Sequence, residues 1–316
     1  MSDDSSSSVL APDDAFATLG NGTRMAVLRT LGEHDGGPLS FSELHDAVEM
    51  RDSGQFNYHL DQLVGHFVEK TGDGYELRRA GGRVIEAVLS GAVTDDPVLE
   101  RTEIDHACHY CGAPLEMRFE QESTATFCTE CAGAFAQSSG GDAEAAAADG
   151  DGFMGYLHLP PAGLAERSPT EVHEVAFAWQ VSEALLTANG VCPRCSAKTE
   201  EEVSVCEVHD PAEEVCSECD SRHAVIYRAA CSNCIYSVSG PFVNKLLGSR
   251  ALLDALTGDG LNPVAPDPER MGELTLNYEE TIQDTDPFRA QFTFDTADGP
   301  VTLDVGDDLE VLDVVR

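Results

Sequence analysis

The chain has 316 residues, with 57 Asp and Glu against 19 Lys and Arg, a formal net charge of −38, and 42% hydrophobic residues. That apolar share, set in clear periodic patterns, excludes a solvated acidic coil, and the length allows two domains with a core in each. The charge sets a condition on folding: in dilute buffer such a surface repels itself, whereas in molar salt the Debye length falls to about 3 Å and the repulsion is screened.

Residues 1–12 (MSDDSSSSVLAP) are acidic and serine-rich, which predicts a solvated tail rather than a leader. No stretch is long and apolar enough to span a membrane, so a cytoplasmic protein is the expectation. From Asp13 onward Phe16, Leu19, Met25, Val27, Leu28 and Leu31 recur at helical spacing around the break Gly20-Asn21-Gly22-Thr23, with Thr23 as cap and a stop at Gly32. Ser40-Phe41-Ser42-Glu43 has capping-box spacing and opens a short helix that turns Phe41, Leu44 and Val48 inward. Ser53 is read as the cap of a further helix with Phe56, Leu60, Leu63 and Val64 on one face. Two short strands, 67–71 and 74–77, flank the hairpin signal Gly72-Asp73-Gly74, and a last helix runs from Ala80 to about Leu89.

This order is that of a winged helix-turn-helix domain, 13–93. The segments LGNGTRMAVLRTL, SFSELHDAV and SGQFNYHLDQLVGHFVEKTGDGYELRRAG resemble the ArsR-like family, in a form of haloarchaeal type. The resemblance implies a homodimer that lays the helix from Ser53 to Gly65 in the major groove of double-stranded DNA. Its outward residues Ser53, Gln55, Asn57, Tyr58 and His59 would face the bases and phosphates, and Arg78 and Arg79 would close the wing. Gln and Asn can pair with adenine edges. Against this, residues 13–93 carry seven Arg/Lys and thirteen Asp/Glu, a net −6 where DNA-binding domains are normally basic. The remaining residues carry −32, so the domain is the less acidic part of the chain. Metal-sensing members of the family hold their cysteines within the winged domain; here no cysteine precedes Cys108.

Residues 94–103 read as a short acidic linker to a C-terminal domain, 104–316. Its eleven cysteines all fall in pairs with two residues between partners: Cys108 and Cys111, Cys128 and Cys131, Cys192 and Cys195, Cys216 and Cys219, Cys231 and Cys234, and Cys206 with His209. That spacing aims two side chains at one ion, and two pairs complete a tetrahedron around Zn²⁺. A reducing cytoplasm favours metal over disulfides. Twelve ligands predict three closed structural zinc sites, with His223 or a carboxylate as the other candidate for the twelfth position. The first ribbon is placed at 106–133. The paired ribbons, 191–236, are read sequentially, Cys192, Cys195, Cys206 and His209 on one ion and Cys216, Cys219, Cys231 and Cys234 on the next.

Between the ribbons lie an acidic low-complexity insert (138–152), a strand over 153–159, and a helix opened by Ser168-Pro169-Thr170-Glu171, in which Trp179 is read as core. A helix from Pro241 to Leu256 and antiparallel strands over 272–316, beginning with the alternation Leu274-Thr-Leu276-Asn-Tyr278, complete an α+β chain. This region resembles an uncharacterised haloarchaeal zinc-ribbon domain that trails winged helices, through the metal pairs, LPPAG at 159–163 and SGP at 239–241. That resemblance implies no activity. The leading expectation is a DNA-binding transcriptional regulator whose C-terminal domain serves dimerisation, a protein partner or an effector. The alternative is a protein–protein or RNA-binding adaptor. Closed metal sites and the lack of an HExxH or phosphate-loop motif point away from an enzyme.

Overall fold

A computed structural model describes residues 10–135, 152–263 and 265–316. The insert expected at 138–152 and the first nine residues of the expected tail therefore lie outside the described residues, apart from Gly152. The chain is α+β and divides into two compact units, Met1–Asp95 and Asp96–Arg316.

In the first unit α1 (Pro12–Leu19), α2 (Gly22–Glu33), α3 (Phe41–Ala47) and α4 (Ser53–Leu63) precede a hairpin of β1 (Val68–Lys70) and β2 (Tyr75–Leu77), and α5 (Arg79–Leu89) follows. Two caps differ from expectation. Asn21, not Thr23, caps α2 by accepting from the Thr23 and Arg24 amides, and the helix runs on past Gly32 to Glu33. Asp52, not Ser53, caps α4, its carboxylate accepting from Gly54 and Gln55. In each case an earlier residue, two positions before Thr23 and one before Ser53, carries the side chain whose oxygen reaches the second and third amides of the helix. The expected capping box at Ser40 and Glu43 forms. Val27, Leu28, Leu44, Phe56, Leu60, Leu63 and Val68 are sealed from solvent and meet in one core, each worth about 1.5–3 kcal/mol of burial. Leu39 bridges to Tyr75, and Gly74 permits it: a Cβ there would stand 2.3 Å from the Leu39 carbonyl oxygen.

The second unit opens with an antiparallel meander, β3 (Leu99–Ala107), β4 (Pro114–Glu120), β5 (Ser123–Cys128) and β6 (Phe153–His158). β3 begins inside the span expected to be linker, because Leu99 and Thr102 pair with Phe119 and Met117. The long helix α6 (Pro169–Ala188) starts at the expected Ser168–Glu171 capping box. Its Val172 and Ala176 join the core of the first sheet, and Val181 and Ala184 join a second core. Trp179 is not core: it is 43% exposed, and its indole N–H donates to Glu183 at 2.7 Å. A three-stranded sheet, β7 (Thr199–Val205), β8 (Val225–Cys231) and β9 (Ser237–Pro241), follows α6.

The helix expected over Pro241–Leu256 is two, α7 (Val243–Leu246) and α8 (Arg250–Gly258). Ser249 divides them, its hydroxyl capping α8 at the Leu252 amide. The expected first C-terminal strand at 274–278 is instead the end of a helix, α9 (Pro268–Leu276). Asp267 caps α9 at the Arg270 amide and Pro268 fills its first turn, a start signal that outweighs the short alternation. Four antiparallel strands then close the chain in order: β10 (Glu279–Thr285), β11 (Phe288–Thr296), β12 (Gly299–Val305) and β13 (Val311–Val315). Phe292 and Phe294 of β11 bury against Phe242 and Tyr278, the Phe242 and Phe292 rings stacked at 4.5 Å.

Candidate metal centres

Three tetrads of ligand atoms assemble in the second unit, each with all four atoms within 4.8 Å of one another. Site 1 gathers Cys108, Cys111, Cys128 and Cys131; site 2 gathers Cys192, Cys195, Cys231 and Cys234; site 3 gathers Cys206, His209, Cys216 and Cys219. These are the twelve expected ligands, with His209 in the twelfth place. His223 is elsewhere, buried and stacked on Tyr278 at 4.6 Å.

The distances fit a tetrahedral ion. Bonds of about 2.3 Å from metal to sulfur ask for about 3.8 Å between sulfurs. Cys108 and Cys131 stand 3.7 Å apart, Cys111 and Cys128 3.4 Å, Cys192 and Cys234 3.6 Å, and Cys195 and Cys231 3.5 Å. In site 3, His209 Nδ1 lies 3.4 Å from Cys219 Sγ. All eleven cysteines are free, and these separations far exceed the disulfide bond of about 2.05 Å.

Sites 2 and 3 correct the sequential reading: the pairs are nested. β7 pairs antiparallel with β8 from Thr199 opposite Cys231 to Val205 opposite Val225. The Cys192–Cys195 turn therefore meets the Cys231–Cys234 turn at one end of the hairpin, and Cys206 to Cys219 close on themselves at the other. The physical reason is length. The seven residues of β7 extend about 23 Å, so ligands at its two ends cannot share an ion. A signal for this was available. Residues 196–205 (SAKTEEEVSV) contain no Gly, Pro, Asn or Asp, whereas Asp210-Pro211 falls midway between Cys206 and Cys216.

A repeated local geometry builds the ligand turns. The amides of Cys108, Cys192, Cys216 and Cys231 donate to the carbonyl five residues on, of Ala113, Ala197, Ser221 and Tyr236. Where the chain turns past the second cysteine, Gly112, Ser196 and Asp220 take positive φ and donate back to the carbonyls of Cys108, Cys192 and Cys216. Only Gly112 announces this by its residue type. Backbone amides also reach the sulfurs. Burial alone would push the Cys128 thiol up, but the Glu130 and Cys131 amides with neighbouring sulfurs bring it down to about 7. The Cys234 and Asn233 amides bring the Cys231 thiol to about 6. Such donors stabilise the thiolate, the form that binds metal.

Of the residues expected to read DNA, Ser53, Gln55, Asn57 and Tyr58 are exposed on α4, and His59 is half-buried. Asn57 donates through Nδ2 to Asp61 at 2.8 Å. Arg78 precedes α5, its guanidinium donating to the Gly65 carbonyl at the end of α4; Arg79, at the start of α5, is exposed. No described helix is long and apolar enough to cross a membrane.

These features define an α+β protein whose described residues include, C-terminal in sequence to a helical first unit, three Cys-rich tetrads able to hold metal ions. By comparison with family models the chain belongs to the family described as domain of unknown function DUF7351, matched over residues 105–311. Residues 12–88 match a second model, domain of unknown function DUF7347. No curated protein and no solved structure matches the chain.

Proposed function

We propose that the protein is a DNA-binding transcriptional regulator, not an enzyme, and acts as a cytoplasmic homodimer. Residues 13–93 form the winged helix-turn-helix, and three structural Zn²⁺ ions build the C-terminal domain for dimerisation, partner or effector contact. One observation carries the reading: α4 buries Phe56, Leu60 and Leu63 while Ser53, Gln55, Asn57 and Tyr58 are exposed around the rest of its surface. A helix so anchored, with a hairpin behind it, can enter a major groove as a rigid element. Gln55 and Asn57 then pair with adenine edges, Ser53, Tyr58 and His59 meet sugar and phosphate, and Arg78 and Arg79 add charge beside the groove. Zinc is the ion that four-ligand Cys₄ and Cys₃His sets with two-residue spacing hold most readily, and a closed shell leaves it no position for substrate.

A second reading is favoured by the net −6 of residues 13–93 and by Asp61, which engages Asn57 and brings a carboxylate to the reading face. On that reading the domain is a protein- or RNA-binding adaptor. A mobility-shift assay in molar KCl, on the DNA upstream of the protein's own gene, separates the two. Gln55→Ala or Asn57→Ala should weaken the cognate complex by about 1–3 kcal/mol and relax sequence choice, while Arg79→Ala should weaken all DNA alike. If none of these changes alters DNA binding, the adaptor reading replaces the regulator.

A further inference from the structure

The three metal centres are unequally connected. Site 2 lies at one end of the β7–β8 hairpin and leans on α6: Arg194, between Cys192 and Cys195, pairs with Glu183 at 2.8 Å, and the Tyr236 hydroxyl meets Thr187 at 3.2 Å. Among the described residues, no hydrogen bond joins its ligand turns to those of sites 1 and 3. Sites 1 and 3 are joined directly. The segment that leaves Cys131 runs beside the segments that flank Cys216 and Cys219. The Ala132 amide donates to Glu214 at 3.0 Å, the Ala134 carbonyl accepts from the Arg222 amide at 3.0 Å, and Phe135 forms an antiparallel bridge with Ser221. The Arg222 side chain completes the joint. Its Nε donates to the Gly133 carbonyl at 2.5 Å, and its guanidinium lies 4.1 Å from the ring centre of Tyr110, between the two cysteines of the other site 1 turn. Arg222 thus touches both ligand turns of site 1 while standing three residues from a ligand of site 3.

The joint is rigid as well as close. Gly133 holds φ +82, and a Cβ there would stand 2.2 Å from the Phe153 carbonyl oxygen, so the backbone lies directly against β6, where the Ala134 amide donates to that same carbonyl at 2.8 Å. The Ser221 carbonyl accepts from the Cys216 amide, which fixes the site 3 turn to the residue that bridges to Phe135. The Arg222 side chain is mostly buried and its ion pair with Glu214 is loose, at 3.6 Å. If either turn loses its shape, the guanidinium and the carbonyls it serves lose partners away from water, which costs more than the bonds themselves.

We infer that sites 1 and 3 form one cooperative metal-binding unit, joined through Arg222, and that site 2 loads independently. An empty site 1 leaves the 131–135 segment unfixed and removes the surface against which the site 3 turn is held; an empty site 3 does the same in reverse. Metal binding at each is part of the folding of the other, which is linkage between ligand and local structure. The inference rests on the metal reading but not on DNA binding.

Zinc content of the full-length chain tests it, measured by elemental analysis after dialysis against a competing chelator at a concentration that leaves the wild type with three ions. Cys111→Ser in site 1 and Cys206→Ser in site 3 should each lower the content from three to one, while Cys195→Ser in site 2 should lower it only to two. A content of two in all three variants would overturn the inference, as would loss of every ion in Cys195→Ser. Arg222→Ala, which keeps all twelve ligands, covers the case of a cysteine variant that does not fold. Under chelator titration the wild type should release two ions in one step and the third in another. The Arg222→Ala chain should release the pair in two steps. An unchanged two-ion step in that variant refutes the joint, whereas a wild type that holds no zinc at all would sink the metal reading beneath it.

Discussion

Lys245 is one of three lysines in the chain, and it is buried. Its ammonium lies 2.8 and 3.0 Å from the two carboxylate oxygens of Glu201 and 3.3 Å from the Ala188 carbonyl, and Glu201 also accepts from the Tyr227 hydroxyl at 2.6 Å. The group ties the end of α6, β7 and α7 into one corner. In Lys245→Met the side-chain stem still packs, but the Glu201 carboxylate loses its counter-ion. Stripping one partner from a fully buried ion pair costs about 3–5 kcal/mol. Glu201 is 21% exposed and keeps the Tyr227 hydroxyl, which brings the expected loss to about 2–3 kcal/mol. Glu310, at 3.7 Å and 70% exposed, adds little. Urea unfolding of the zinc-loaded chain in molar KCl measures this through Trp179, the only tryptophan, which reports on the second unit. The double variant Lys245→Met with Glu201→Gln should be more stable than Lys245→Met alone, because no charge is left buried. A single variant within 0.5 kcal/mol of wild type, or a double variant less stable than the single, would refute the reasoning.

Burial pushes the Glu280 carboxyl up to about 7 against the pull of the Ala224 and Val225 amides, so its contribution to stability is fully present below pH 4.5 and is lost as pH rises through 7. Glu280→Gln should therefore gain on the wild type by up to about 3 kcal/mol at pH 8 and lose that advantage near pH 4.5; a difference that is flat with pH contradicts this. Excess chelator at neutral pH should abolish the folded Trp179 signal while helical circular dichroism from α1 to α5 persists, since no ligand lies before Cys108. Complete loss of helical signal would show that the first unit depends on the metal too.

The helices of the first unit were legible because each has a strong local signal and a core face at helical spacing; only the capping residue slipped, by a step or two toward the N-terminus. Ligand identity was legible as well, since two-residue spacing is a local property of the turn. Ligand partnership was not local. It depended on whether 196–205 was a strand or a hairpin, and the spacing to the next pair is the same in both. The break at Ser249 and the helix at 268–276 failed for a related reason: short apolar runs fit both periods, and the caps Ser249 and Asp267 carried the decision. Trp179 was misplaced because α6 lies between two cores and is apolar nearly all round, so its one wet stripe cannot be found from the pattern of the helix alone.

The nested pairing also bears on what the metal can do. Were each ion held by one ribbon, as sequential pairs would place it, a site could open without freeing either end of the β7–β8 hairpin. Instead β7 and β8 have an ion-binding tetrad at each end, and the strands between them carry Val225, Tyr227 and Ala229 into the core shared with the C-terminal sheet. Releasing the ion at site 2 frees the start of β7 and the end of β8 together, and releasing the ion at site 3 frees their other ends. The apolar core lies between, so each ion braces one end of a hairpin that the core holds at its middle. That arrangement suits an ion that holds the fold, and it leaves little room for one that comes and goes as a signal. Any response to zinc supply would then be read in how much folded protein accumulates rather than in a shift between two folded states.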